Sequence, residues 1–150
     1  MNRSTAREIA VRLAFEISAR ECTAEEVLEN FFDRDHYDSL REEDSLFSEY
    51  PDGDQKDYIE TVIRGVGAYN AELDGYVAKY SKGWSFGRIS RTALAVMKVS
   101  MFETMYMPEI PNGASINEAV EIAKKYDVPE TVAFINGILG SFVREELEGL

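Results

Sequence analysis

The chain has 150 residues, 45% of them apolar, with 16 Lys and Arg against 28 Asp and Glu and a net charge of −12. That length suits one domain with a substantial core, and no apolar run approaches the roughly 18 residues of a membrane span. Cys22 is the only cysteine, which excludes an internal disulfide, and Arg7, Glu8 and Arg12 interrupt the N-terminus where a signal peptide needs an apolar run, so a cytoplasmic setting is the expectation. The charge is uneven. Residues 1–20 carry four Arg against Glu8 and Glu16, whereas residues 21–60 carry fifteen acids against Arg34, Arg41 and Lys56. One segment therefore holds the acidic excess, and the N-terminus stays locally basic.

The first predicted helix spans about 5–20, with Thr5-Ala-Arg-Glu8 as a capping box. At 100° per residue, Ala6, Ile9, Ala10, Leu13 and Ile17 share a core face. Arg3 and Arg7 lie one turn apart beside Val11 and Ala14, and Phe15 falls nearly opposite the core. A ring on an outer face near two arginines suits base stacking with phosphate contact; a covering layer of protein is the alternative. Thr23-Ala-Glu-Glu26 opens a second helix over about 23–33. Residues 34–54 read as a loop with a short helical piece, and "PDGDQKDYIE" lacks the order and loop length of a calcium hand.

A long helix is predicted over 55–80, and "SKGWSFGR" then breaks the chain at Gly83 and Gly87, with a short helical turn near 85–89. The next helix, 90–107, is apolar almost all round: Leu94, Met97, Met101 and Met105 on one stripe, Val96, Val99 and Tyr106 on another. Such a helix belongs at the centre of a core. Glu103 on its valine side needs a structural hydrogen bond or ion pair, and Lys98 reads as a snorkelling surface lysine next to Phe102 and Met105.

Ser115-Ile-Asn-Glu118 signals a helix over 115–126, with Ile116, Ala119, Val120, Ala123 and Tyr126 on its buried face. Asp127-Val-Pro129 signals the last helix, 129–148. Its Asn136-Gly137 pair is a hairpin signal elsewhere, but here Val132, Ile135, Ile138, Leu139, Phe142 and Val143 keep a helical period across it. Ala133, Gly137 and Gly140 form a small-residue strip that suits close approach of another backbone. Asn136 is placed to bond a neighbouring helix, and Phe134 projects away from the apolar face.

No catalytic or metal-binding pattern accompanies these helices. His36 and Cys22 have no motif around them, and Walker, Gly-x-Gly-x-x-Gly, His-Glu-x-x-His and paired Cys/His spacings are all absent. The expectation is a binding or assembly factor, not an enzyme, with no cofactor and no metal. Its fold is all-α, a single domain over 1–150 made of two packed three-helix-type lobes, about 1–82 and 83–150.

"STAREIAVRLAFEI", a helix ending "ELDGYV", Trp84, "RIS", "VMKVSMFE", "INEAVEIAKKY" and "FINGIL", in that order, resemble the NusB family of bacterial transcription antitermination factors. The resemblance covers most of the chain outside roughly 30–55. It implies a NusB-like helical bundle that binds boxA RNA together with NusE, a small-subunit ribosomal protein, within an antitermination complex on RNA polymerase in ribosomal RNA operons. It implies RNA contact for Arg3, Arg7, Phe15, Lys98 (where an arginine is usual) and Phe134, with Glu103, Asn136 and Gly137 structural. Ser4 and Thr5 stand where further arginines often occur, so weaker RNA binding by the isolated chain is expected, with the basic partner restoring affinity. Some family members dimerise, which leaves a homodimer open. The alternative is a protein-interaction scaffold of the same fold with little direct RNA contact.

Overall fold

The computed structural model describes residues 1–148. Among them are eight α-helices and no strand, arranged as two compact units, Met1–Ala68 and the chain from Tyr69 onwards. The two units meet in sequence at Ala68/Tyr69, and the helix that follows Tyr69 packs against later helices.

The first unit holds α1 (Arg3–Arg20), α2 (Ala24–Phe32), α3 (Arg34–Glu43), a 3-10 turn (Ser45–Phe47) and α4 (Gly53–Ala68). Asn2 caps α1 by accepting the Thr5 N–H at 2.8 Å, so Thr5 lies inside the helix and the capping box expected there is not formed. The box at Thr23 and Glu26 is formed in both directions. The predicted α1 face is correct: Ala6, Ile9, Ala10, Leu13 and Ile17 are buried. α1 and α2 both pack on α4, and Gly67 lets α2 approach, since a Cβ there would lie 2.9 Å from Ala24 Cβ.

The sequence reading misses most of α3. It buries only Tyr37, so it has no apolar period to find. Its stability comes from Asp33, whose carboxylate accepts the His36 N–H, and from Tyr37 packing edge-on against Phe31, Phe47 and Tyr50. The Tyr37 hydroxyl donates to the Glu49 carbonyl, and burial is the main cause pushing its pKa up to about 12. A tyrosine whose folded pKa lies above its unfolded value adds stability below pH ~10 that is lost as pH rises through the folded pKa. Alkaline destabilisation of this unit is therefore expected between about pH 10 and 12. Tyrosinate absorbance should lose a component that titrates near pH 12 in Tyr37→Phe; an unchanged titration curve would contradict the assignment.

The second unit holds α5 (Asn70–Tyr80), a 3-10 turn (Phe86–Arg88), α6 (Arg91–Tyr106), α7 (Asn112–Tyr126), α8 (Pro129–Phe142) and a wide turn of i→i+5 type (Val143–Glu148). α6 is central and contacts α5, α7 and α8, as its all-round apolar sequence requires. The helix expected over 55–80 is two helices. Tyr69 leaves helical geometry at φ −105°, ψ 18°, and its ring stacks on Tyr106 at 4.7 Å. α7 begins three residues before the expected start, so Ser115 is a buried interior residue and not a cap. Its buried face is Ser115, Ala119, Ile122 and Ala123, which turns Tyr126 outward at 41% exposure. α8 starts at Pro129 as expected, but regular α geometry ends at Phe142.

Candidate nucleic-acid interface

In the first unit, α1 and α4 bring two arginines to one ring. The Arg3 guanidinium lies 4.3 Å from the Tyr58 ring centroid, and that of Arg7 lies 5.7 Å from it. Gln55, one turn before Tyr58, accepts from Arg3 Nε at 2.8 Å. Tyr58 itself is 2% exposed, so it is a fixed platform. Cation–π contact holds both guanidiniums against the ring, and the Gln55 oxygen fixes that of Arg3. Arg3 is half-buried with edges free, whereas Arg7 is only 5% exposed. Arg7 thus does not stand on an outer face as its helical projection suggested; that side of α1 is covered, and Val11 and Ala14 are buried with it. Phe15 is 37% exposed, as its projection required.

In the second unit, Lys98 is not a surface lysine. It is 5% exposed, and its Nζ lies 2.5 Å from Asp74 Oδ1 and 2.8 Å from Asn70 Oδ1, both on α5. The ammonium is spent on joining α5 to α6. Phe134 is half-buried and packs on Trp84, with ring centroids 4.4 Å apart at an interplanar angle of 32°. Sequence reasoning singles out Phe134 as a site residue and names Trp84 only among the motifs of the resemblance, not as the ring that packs on Phe134. The available signal is Trp84 standing among glycines and serines in an otherwise polar break.

Glu103 is fully buried, and its Oε1 accepts from the Ser115 hydroxyl at 2.8 Å. Ser115 also shares a hydrogen bond with Ser100 at 2.9 Å. This small network joins α6 to α7, as a buried carboxylate demands. Asn136 and Gly137 behave otherwise than expected. Both are exposed, and a Cβ on Gly137 would meet nothing within 4 Å. Asn136 lines an open groove of about 690 Å³ between α7 and α8, with Asn117, Lys124, Asp127 and Val132. Burial raises the Asp127 carboxyl above the usual carboxylate range. The small-residue strip of α8 is thus accessible surface, not a helix contact.

The described residues hold no cluster of His, Cys, Asp and Glu placed to bind a metal ion, and no helix among them is long and apolar enough to cross a membrane. The class that the fold defines is an all-α protein of two helical units, carrying arginines on a ring in one and a ring pair in the other. The sequence profile described as the NusB family matches residues 4–144. Curated relatives named transcription antitermination protein NusB are similar over nearly their whole length. One from Thermoanaerobacter sp. (strain X514) is 38% identical, with 97% of this chain and 93% of the relative covered. One from Acetivibrio thermocellus is 37% identical over 98% of this chain and 92% of its own. One from Clostridium botulinum (strain Loch Maree / Type A3) is 34% identical over 95% of this chain and all of its own. A solved structure of T. maritima NusB shares the fold, with a TM-score of 0.72 at 24% identity over 97% of this chain and 92% of that one. The chain belongs to the NusB family.

Proposed function

We propose that this chain is a transcription antitermination factor that binds boxA RNA together with NusE and acts in the antitermination complex on RNA polymerase, in the cytoplasm. The observation that carries the reading is the near-full-length similarity to relatives bearing that name. Family membership supports a role in binding and not in covalent chemistry. Supporting features are the half-buried Arg3 guanidinium held on Tyr58, which suits phosphate, and the Phe134 ring on Trp84, which suits a stacked base.

Fluorescence anisotropy against boxA RNA and a scrambled RNA, with and without NusE, tests the reading. Selective binding to boxA is expected in at least one condition, and its absence from both would sink the proposal. Phe134→Ala is expected to weaken binding by about 5- to 30-fold, from the ~1–2 kcal/mol of a stacked base. Arg3→Glu should weaken binding to both RNAs and flatten its salt dependence.

A specific observation favours a second reading. Arg7 is buried and Lys98 is engaged by Asp74, so the chain presents fewer free cations than its sequence promises. A protein-interaction scaffold with little RNA contact of its own fits that economy. It predicts binding to NusE with no gain in RNA affinity.

A further inference from the structure

Residues 75–102 contain Lys79, Lys82, Arg88, Arg91 and Lys98 and no acid at all, in a chain of net charge −12. Lys79 and Lys98 are engaged by Glu146 and Asp74. Lys82, Arg88 and Arg91 are exposed, and among the described residues no carboxylate lies within ion-pair reach of any of them. The contrast with other cations is informative. Arg12 pairs with Asp44, Arg41 with Asp38, Arg64 with Glu25 and Glu60, and Lys124 with Glu121. Among the described residues, three exposed cations without an ion pair thus fall within ten residues, 82–91.

The same ten residues carry rings. Trp84 is half-buried on Phe134, and Phe86 is 36% exposed. The backbone between them is a built turn. Gly83 sits at φ +84°, a conformation that favours glycine, and the Trp84 N–H donates to the Ser81 carbonyl at 3.2 Å. The Arg88 and Ile89 N–H groups close the next turn on Ser85 and Phe86 at 3.0 and 3.1 Å, and Ile89 anchors it at 7% exposure. Unpaired cations interleaved with rings on an ordered turn are the chemistry of a single-strand binding surface. Phosphates take the cations, and bases stack on the rings without a sequence requirement.

We propose that residues 82–91 form a contact surface for single-stranded RNA, with Lys82, Arg88 and Arg91 taking phosphates and Phe86 and Trp84 taking bases. This rests on the RNA reading above and extends it to residues outside the arginines of α1. An acidic protein segment would meet the cations but would leave the rings unexplained.

Trp84 is the only tryptophan in the chain, so its emission reports this surface directly. The full chain is titrated with boxA RNA and with a random-sequence single strand, with and without NusE, following tryptophan emission and RNA anisotropy together. The expected result is an emission change that saturates with the anisotropy. K82E/R88E should then bind at least tenfold more weakly, with a salt slope shallower by about 0.7 for each phosphate no longer neutralised. Phe86→Ala should weaken binding without changing that slope. Both variants alter exposed side chains, and circular dichroism checks that they fold. If RNA binds while Trp84 emission stays constant and K82E/R88E binds like the parent, this surface is overturned and the RNA reading stands. If K82E/R88E loses NusE but keeps RNA, the surface is a protein contact and the proposal also fails. If the parent binds no single strand in either condition, both readings fall together.

Discussion

Asp74→Ala is expected to lower stability by about 3 kcal/mol. The reason lies with its partner. Lys98 is 5% exposed, and its ammonium has Asp74 Oδ1 at 2.5 Å and Asn70 Oδ1 at 2.8 Å. Removing the carboxylate leaves a buried cation facing a single amide oxygen, and desolvation is then uncompensated. For a chain of this length that corresponds to a fall in Tm of roughly 6–12 °C. Lys98→Met should cost less, because the Asp74 side chain is 32% exposed and can turn to water. The double change Asp74→Leu with Lys98→Met should lie nearer the parent than the sum of the singles, since it removes both charges. Thermal melts followed by circular dichroism read all three. A Tm for Asp74→Ala within about 1 °C of the parent would show that the pair carries no net stability. RNA titration adds a second readout. Lys98→Met should keep RNA affinity within about twofold if the ammonium serves α5, whereas a phosphate contact would cost more and flatten the salt slope.

That buried pair also marks where sequence reasoning stops. Helical projection places Lys98 beside Phe102 and Met105 on its own helix, but it is blind to Asp74 on the neighbouring α5. Arg7 is a parallel case, since its wheel position is right but Tyr58 on α4 lies over it. Apolar period, by contrast, is enough to find α1, α6 and the body of α8, because each buries a continuous face. It fails for α3, which buries only Tyr37, and at Tyr69, where no Pro or cap motif announces that one helix has become two. Capping boxes are ambiguous for a physical reason. Thr5 and Ser115 have suitable residues three positions on, but the helices start earlier, with Asn2 and Pro111 at the N-cap positions, and the Ser115 hydroxyl bonds Glu103 instead. Glu103 differs from these, because burial of a carboxylate has few solutions, and Ser115 is one of them. The site is half legible. Phe134 is visible as an aromatic off the core face, but its partner ring, in the break before α6, is not.

Tyr58→Leu is expected to cost about 2–4 kcal/mol of stability and about tenfold in RNA affinity, and the two effects have separate causes. The ring is 2% exposed, so truncating it leaves space in the contact between α1 and α4. It is also the surface on which the Arg3 and Arg7 guanidiniums rest, at 4.3 and 5.7 Å. Without it, Arg3 keeps Gln55 as its anchor, and the phosphate contact proposed for it would be made from a freer rotamer distribution. Tyr58→Phe separates the causes, because it keeps the aromatic face and removes only the hydroxyl. It should retain RNA affinity within about twofold whatever its effect on Tm. Binding measured well below the melting temperature of Tyr58→Leu keeps the comparison among folded proteins. If Tyr58→Leu binds boxA RNA as the parent does, the arginines need no preorganised platform. If Tyr58→Phe loses affinity as fully as Tyr58→Leu, the hydroxyl and not the ring is the feature that positions them.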